Sequence, residues 1–452
     1  MQDHVLHYNK AVLRPHYEEF CGRGTRFENA VCVAPLCCPA RRSILTGTYP
    51  HIHGQYDNFQ TVETGNSTYY DALNNLGYDN YYFGKWHAGS GCPTDVGVKG
   101  FSQPSYGNPY RSTEYREYCK THDLPYPPTA KTEYSFAGRQ EISDLTQTDH
   151  LFDVSFGTLI GEKENHEAFF LADMAINRLK SLEKSTKPFT LRVDFWGPHH
   201  PYFPTQDFLE KYDENEIELL PSLYDDFKGK PKSYRKEFSE IVGNNGNLVR
   251  PSPLSEKDWK KTLRYAYAQN TLVDEAAGKI ADFVNSSSLG ANTIVIWSAD
   301  HGDALGCHGG HTDKGCYLVE EVLRIPLAIV GYGIERKVSS DYVSNVDVTA
   351  TVLNACGADV TGMKYSLPLG GKKKRDYFVS VTHGHFDRRT ALSLRKGRYK
   401  FIENVGDVDE LYDLESDRYE MRNIADETPE ITASFKKALD EWKKESGFKT
   451  FE

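Results

Sequence analysis

The chain has 452 residues, 39% hydrophobic and 26% charged, enough to bury a large core and to build two or three domains. Its net charge of −11 argues against broad binding to nucleic acid, and no apolar run reaches the roughly 18 residues that a membrane span needs. The nine cysteines show no repeating interval and no zinc-type CxxC pair, so a disulfide framework is not expected.

In chain order, the opening MQDHVLHYNKAVL has neither a signal-peptide pattern nor the apolar strand with which an α/β domain usually begins. PLCCPARRSILTG, Pro35 to Gly47, sets two adjacent cysteines before a Pro, two Arg and a Thr-Gly turn. Cations and a helix N-terminus both favour an anionic sulfur, so this setting suits a reactive cysteine. Ser67 to Leu76 is predicted as a helix, with Ser or Thr at its cap, Tyr69, Leu73 and Leu76 on one face and Gly77 as its stop. YDNYYFG then reads as an aromatic strand running into Lys85, Trp86 and His87. Ala168 to Leu182 is a helix, followed by the alternating strand of Phe189, Leu191, Val193 and Phe195. Leu272 to Val284 repeats at helical spacing, and NTIVIWSAD reads as a buried strand.

Helix followed by apolar strand, repeated, predicts a largely parallel sheet covered on both faces, whose ligands sit beyond the C-terminal strand ends. Lys85, His87, His199, Asp300 and His301 all fall just after predicted strands, which points to one active site. Gln103 to Phe152 and Thr205 to Glu256 are polar and read as long irregular surface insertions. NVDVTATVLNACGADV is a helix with a Gly stop, and the Gly, Pro and Lys cluster in SLPLGGKKKRDYFVSV reads as a linker. Beyond it, ALSLRKGRYKFIEN and DELYDL are short strands and Ile431 to Lys444 a charged helix. The expected division is a catalytic domain over 1–370 and a small α+β domain over 371–452. Asn66-Ser67-Thr68 and Asn285-Ser286-Ser287 fit the glycosylation acceptor pattern.

Cys37-Cys38-Pro39-Ala40-Arg41, continued through Leu45-Thr46-Gly47, resembles the C-x-P-x-R signature of the type I sulfatases of the alkaline phosphatase superfamily. Only from Cys37 do Pro39 and Arg41 fall in register, so Cys38 is a bystander. LGYDNYYFGKWH, GPHHPY, SADHGDALGCHGGHTDKGCYLVEEVLRIPL and the tail segment RYKFIENVGDVDELYDLESDRYEMRNIA are similar to further sulfatase motifs, in the right order. The resemblance implies an alkaline-phosphatase-like α/β sandwich with a small C-terminal domain. It also implies hydrolysis of a sulfuric ester, on a sulfated sugar or aryl sulfate, by a formylglycine that a maturation enzyme makes from Cys37.

By the same resemblance, Arg41 would hold the hydrated aldehyde, Lys85 and Lys314 would grip sulfate oxygens, and His87 would act as base. His199, preferred over His200, would bind sulfate or protonate the leaving alcohol. Asp300 and His301, with residue 37, would bind a divalent cation, calcium by expectation. Cations around the sulfuryl oxygens reduce the cost of attack on an anion. His51, His53, His308 and His311 either line the pocket or sit in turns, and Glu320 and Glu321 read as structural, capping or pairing with Arg324.

The resemblance breaks at the start. The family opens with an apolar strand ending in an Asp pair that supplies two calcium ligands, and no such strand precedes Cys37. Asp3 stands too close to Cys37 to replace the pair. The expectation is an upstream strand in the natural protein, with residues 1–452 alone binding metal poorly and nearly inactive. Competing readings are a phosphonate monoester or phosphodiester hydrolase of the same superfamily, and an inert binding homologue. Family habit places such enzymes in the periplasm or outside the cell.

Overall fold

A computed structural model describes residues 11–59, 67–135, 140–147, 155–236, 242–244, 247–249, 254–385 and 388–450. Met1 to Asp3 and Asn66 lie outside the described residues. The strands, in order, are β1 (Thr25–Val31), β2 (Asp79–Lys85), β3 (Lys99–Gln103), β4 (Thr129–Ser135), β5 (Gln140–Gln147), β6 (Ser155–Leu159) and β7 (Phe189–Asp194). After them come β8 (Val242–Asn244), β9 (Asn247–Val249), β10 (Ile294–Ser298), β11 (Leu327–Gly331) and β12 (Lys337–Ser344). The C-terminal set is β13 (Phe378–Gly384), β14 (Arg388–Lys396), β15 (Tyr399–Asn404) and β16 (Glu410–Asp413).

The central layer is in two pieces. Strands β3, β2 and β7 pair in parallel, in that order. Strands β10, β11, β1 and β12 form the other piece, where β1 is parallel to β12 and β11 runs antiparallel to both its neighbours. Helices cover both faces of this layer, which is why its strands read as aromatic and β-branched runs. The helix Glu256–Ser286 opens with a reciprocal cap between Ser255 and Asp258 and buries Leu263, Ala266, Leu272 and Ala276. It starts well before the apolar repeat that identified it, where the segment expected to be irregular ends. The shorter helix Tyr69–Asn75 is capped as expected, by Thr68 and Asp71.

The helix Cys37–Thr46 runs through the interior, with nine consecutive residues from Cys37 to Leu45 buried. Such a helix needs no amphipathic stripe, so charge and apolar spacing alone do not reveal it. Gly47 closes it at φ 67°, a conformation that favours glycine.

The two expected insertions are structured. Thr113–Thr121 is a helix, and β4, β5 and β6 form an antiparallel sheet in the order β5-β4-β6. In the second, Tyr212, Ile217, Leu220, Phe227 and Tyr234 are buried in the main core. Apolar residues spaced too irregularly for either period made these segments look like loops. All nine cysteines are free. Among the described residues no helix is long and apolar enough to cross a membrane.

Strands β13 to β16 form a separate four-stranded antiparallel sheet, and the helix Pro429–Ser446 packs Phe435, Leu439 and Trp442 into the same cluster. A buried ion network ties it to the rest. Lys400 Nζ lies 3.2 Å from Glu320 and 2.7 Å from Glu420, while Arg395 reaches Glu320 at 2.9 Å. Glu320 is therefore structural, as the sequence suggested, though its main partners are Lys400 and Arg395 rather than Arg324 at 3.8 Å. Removing one member of a buried network strands the others without compensation. Lys400→Met should destabilise the protein by about 3–5 kcal/mol, read from denaturant midpoints. A loss below about 1 kcal/mol would show that the network carries little stability.

Candidate active site

Cys37 is the first residue of its helix and is 1% exposed. Its Sγ lies 3.2 Å from His301 Nε2. His301 Nδ1 donates to the Gly302 carbonyl at 2.7 Å, and Asp300 and Cys37 favour the charged ring, whose Nε2 is directed at the sulfur. His87 and His199 also lie beside the Cys37 side chain. Burial pushes the thiol up, but Lys314, Lys85 and His301 together outweigh it and hold Cys37 well below the ordinary thiol range. Its neighbour Cys38 is pushed up to about 12, chiefly by burial. Adjacent thiols thus behave oppositely, because only at Cys37 do the cations outweigh burial.

Lys85 ends β2, and burial pulls its ammonium down. Its Nζ sits 4.3 Å from the centre of the Tyr106 ring. Lys314 is also buried, but the adjacent Asp313 carboxylate outweighs that and keeps its ammonium firmly charged. Lys314 Nζ lies 3.0 Å from His199 Nε2, and His199 Nδ1 faces the His200 carbonyl at 2.6 Å and the Tyr106 hydroxyl at 3.2 Å. Burial lowers His199, and Lys314 lowers it further. His87 holds a positive φ of 40° and is lowered by burial to about 4. Among the described residues its Nδ1 has no hydrogen-bond partner.

Arg41 spends its donors on strand ends. Nε donates to the Trp86 carbonyl at 2.7 Å, and the terminal nitrogens reach the Lys85 carbonyl, the Tyr82 hydroxyl at 3.0 Å, Asp194 at 2.5 Å and Asp300 at 3.3 Å. Burial would raise the Asp300 carboxyl, but His301 and Arg41 hold it well below the usual carboxylate range. A cavity of about 60 Å³ bounded by Arg41, Lys85, His199, Asp300 and His301 opens beside them.

Cys37, Asp300 and His301 form a group that could hold a metal ion, as do His199, His200 and Asp313. The first set offers one thiol, one imidazole and one carboxylate. Ca²⁺ takes about 6–8 oxygen ligands, so among the described residues this donor set does not fit calcium.

All the residues singled out for chemistry thus come together at the C-terminal ends of β2, β7 and β10. His200 lies there too, its Nε2 3.8 Å from Asp313. His51 and His53 are elsewhere: the first packs against Trp442 and Phe448, the second bonds Ser43 at 2.9 Å. His308 bonds Asp225 at 2.7 Å, and His311 stacks near Tyr317 at 4.3 Å. Asp313, Tyr106, Asp194 and Tyr82 escaped the sequence reading. Asp313, next to Lys314, was the one with a visible signal.

This cation-lined pocket at the strand ends of a helix-covered α/β layer defines an alkaline-phosphatase-type hydrolase of anionic esters. The chain belongs to the sulfatase family: the family described as Sulfatase matches residues 3–358, and N-sulphoglucosamine sulphohydrolase, C-terminal, matches 306–445. It is a type I sulfatase by membership. The chain is 25% identical over 479 residues to N-acetylglucosamine-6-O-sulfatase of Bacteroides thetaiotaomicron, covering 91% of this chain and 78% of that protein. The fold is similar to BT4656, solved with its substrate D-glucosamine-2-N,6-O-disulfate, at TM-score 0.72 and 19% identity over 98% of this chain and 95% of that one. It is also similar to the phosphonate monoester hydrolase of Silicibacter pomeroyi, at TM-score 0.74 and 17% identity over 96% and 90%.

Glu167 steadies the loop that carries His199 by accepting the Gly197 N–H at 2.8 Å. Burial raises its carboxyl to about 7 despite that bond. The folded state therefore favours the protonated form: its contribution is full below the unfolded value of 4.5 and is lost as pH rises through about 7. Wild type should lose about 3 kcal/mol across that window, and Glu167→Gln, which keeps the acceptor, should lack this component. Equal pH slopes in urea melts of the two proteins would refute the assignment.

Proposed function

We propose that the protein hydrolyses sulfuric esters of a sulfated sugar or aryl alcohol at position 37, after oxidation of Cys37 to formylglycine. The observation that carries this reading is the pair of buried lysines, Lys85 and Lys314, converging with three histidines on one thiol held low while its neighbour is not. The surroundings suit the modified residue, since His87, His199 and His301 offer polar partners and His87 Nδ1 is unmatched. A hydrated aldehyde there supplies an oxygen nucleophile toward sulfur.

This chain's own groups do the rest. Lys85 and Lys314 bind the sulfuryl oxygens and offset charge that builds on them as the S–O bond breaks. His199, with Nδ1 held by the His200 carbonyl and the Tyr106 hydroxyl, turns Nε2 toward Lys314 and the pocket. Its doubly protonated form binds a sulfuryl oxygen or gives the Nε2 proton to the leaving oxygen and returns to neutral. His87, kept neutral by burial, accepts a proton at residue 37. Arg41, expected to hold the hydrated aldehyde, instead directs its donors to the strand ends and to Asp194 and Asp300. Its role here is that of a positioning residue that presents Lys85 and Asp300. The relative's amino-sugar sulfate and the disulfated glucosamine bound to BT4656 support a sulfated carbohydrate as substrate.

A phosphonate monoester is the second reading, favoured by the similar fold of the phosphonate hydrolase. The division into domains 1–370 and 371–452 belongs to the same proposal, as does calcium, which would need oxygen ligands beyond the described set.

Peptide mass spectrometry of protein produced with a formylglycine-generating enzyme should find an aldehyde at Cys37 and an intact thiol at Cys38. Lys314→Met in that material should lower kcat/KM for an aryl sulfate by about 10²–10³ with the fold intact by circular dichroism. An unmodified Cys37, or a variant as active as wild type, would overturn the reading.

A further inference from the structure

Apart from the groups at the candidate active site, Cys307, His308 and Glu321 form a further cluster whose sulfur, nitrogen and oxygen all lie within 4.8 Å of one another. All three side chains are buried, and Cys307 forms no disulfide. Cys307 and His308 precede, and Glu321 follows, the stretch that carries Asp313 and Lys314. The donors are already aimed. His308 Nδ1 donates to Asp225 Oδ2 at 2.7 Å, and Lys230 Nζ holds the same oxygen at 2.7 Å while lying 3.1 Å from that nitrogen. His308 Nε2 therefore points inward, where among the described residues it has no hydrogen-bond partner. Glu321 Oε2 lies 3.6 Å from it, too far for a hydrogen bond, and Glu321 Oε1 accepts the Ser222 hydroxyl at 3.1 Å.

A carboxylate on one ring nitrogen is the usual support of a histidine whose other nitrogen binds a metal, since it fixes the tautomer and the ring orientation. The spacing agrees: a tetrahedral ion bonded to nitrogen and oxygen at roughly 2.0–2.1 Å sets the two atoms about 3.3 Å apart. Burial and Lys230 oppose a charged ring, but Asp225 and Glu321 raise His308, so without an ion a proton occupies the space between Nε2 and Oε2. A dication would replace that proton and the Cys307 thiol proton, both released to solvent. The thiolate and the Glu321 carboxylate then balance its two charges, and Asp225 stays balanced by Lys230, so no net charge is buried. Sulfur, imidazole and a single carboxylate suit Zn²⁺ and exclude Ca²⁺ and Mg²⁺, which need several oxygens. Three protein ligands leave one tetrahedral position for a water.

We propose that Cys307, His308 and Glu321 bind one Zn²⁺ ion, with Asp225, Lys230 and Ser222 orienting the ligands. The ion joins the two ends of the stretch 307–321 and so holds in place the loop that presents Lys314 to the candidate active site. It is separate from any ion at Cys37, Asp300 and His301, and it does not depend on which ester the protein cleaves.

The test uses the full chain carrying Cys37→Ser, which removes the sulfur of the active-site group, so that a metal–thiolate signal must arise elsewhere. Co²⁺ stands in for Zn²⁺, because its bond to a thiolate absorbs strongly in the near ultraviolet. One Co²⁺ per chain with that band is expected, displaced by Zn²⁺ and not by Ca²⁺. Adding Cys307→Ser should abolish the band and weaken Zn²⁺ binding by about 100-fold. Asp225→Asn should weaken it by about 10–100-fold at unchanged circular dichroism; Ser222→Ala asks the same of Glu321 if that variant does not fold. Zn²⁺ should also slow amide exchange across 307–321 by about tenfold or more. Absence of the thiolate band, its survival in the Cys307→Ser protein, or equal Zn²⁺ affinity with and without Cys307 would overturn the proposal. Zn²⁺ binding that is present in wild type and lost with Cys37→Ser alone would also overturn it, assigning the ion to the active-site group.

Discussion

One buried guanidinium holds the architecture of the site. Arg41 lies on the interior helix that begins at Cys37, and it bonds the Trp86 and Lys85 carbonyls, the Tyr82 hydroxyl, Asp194 and Asp300. Those partners come from the ends of β2, β7 and β10, so a single side chain registers three strands from both halves of the layer against the helix that carries the reactive residue. Burial alone would weaken such a cation; Asp194 more than restores it, so Arg41 stays firmly charged. A lysine could not replace it, because the planar fork makes these bonds in fixed directions.

The electrostatics follow from which cations are left with partners. Lys314 is locked to Asp313, Arg41 to two carboxylates, and Lys85 faces the ring of Tyr106, where burial lowers it. The fields of Lys314 and Lys85 reach Cys37 strongly, and an anion at that point is the natural complement. Burial depresses His87 and His199, so both are mostly neutral near pH 7, whereas Asp300 and Cys37 hold His301 up.

Much of the site was legible in the sequence because its residues follow strands in short, spaced motifs. Cys37, Arg41, Lys85, His87, His199, Asp300, His301 and Lys314 were all named from such motifs and converge in space. Asp194 and Tyr82 were not, since they act through Arg41 and look in sequence like ordinary strand residues. Tyr106 was hidden inside a segment read as irregular, although its hydroxyl and ring touch His199 and Lys85. The interior helix at Cys37 and the core contributed by 205–256 were similarly illegible: uniform burial erases the periodicity from which helices and strands are read. The separation of the central layer into two pieces is a tertiary fact, visible only once β7 and β10 are seen to share no neighbouring strand among the described residues.

The most direct test of the central claim is side-by-side turnover, by formylglycine-bearing protein, of a sulfate monoester and a phosphonate monoester of the same aryl alcohol. The account predicts a clear kcat/KM preference for the sulfate, together with release of inorganic sulfate from a sulfated amino sugar. Faster cleavage of the phosphonate, or no turnover of either by protein whose Cys37 is fully converted, would contradict it.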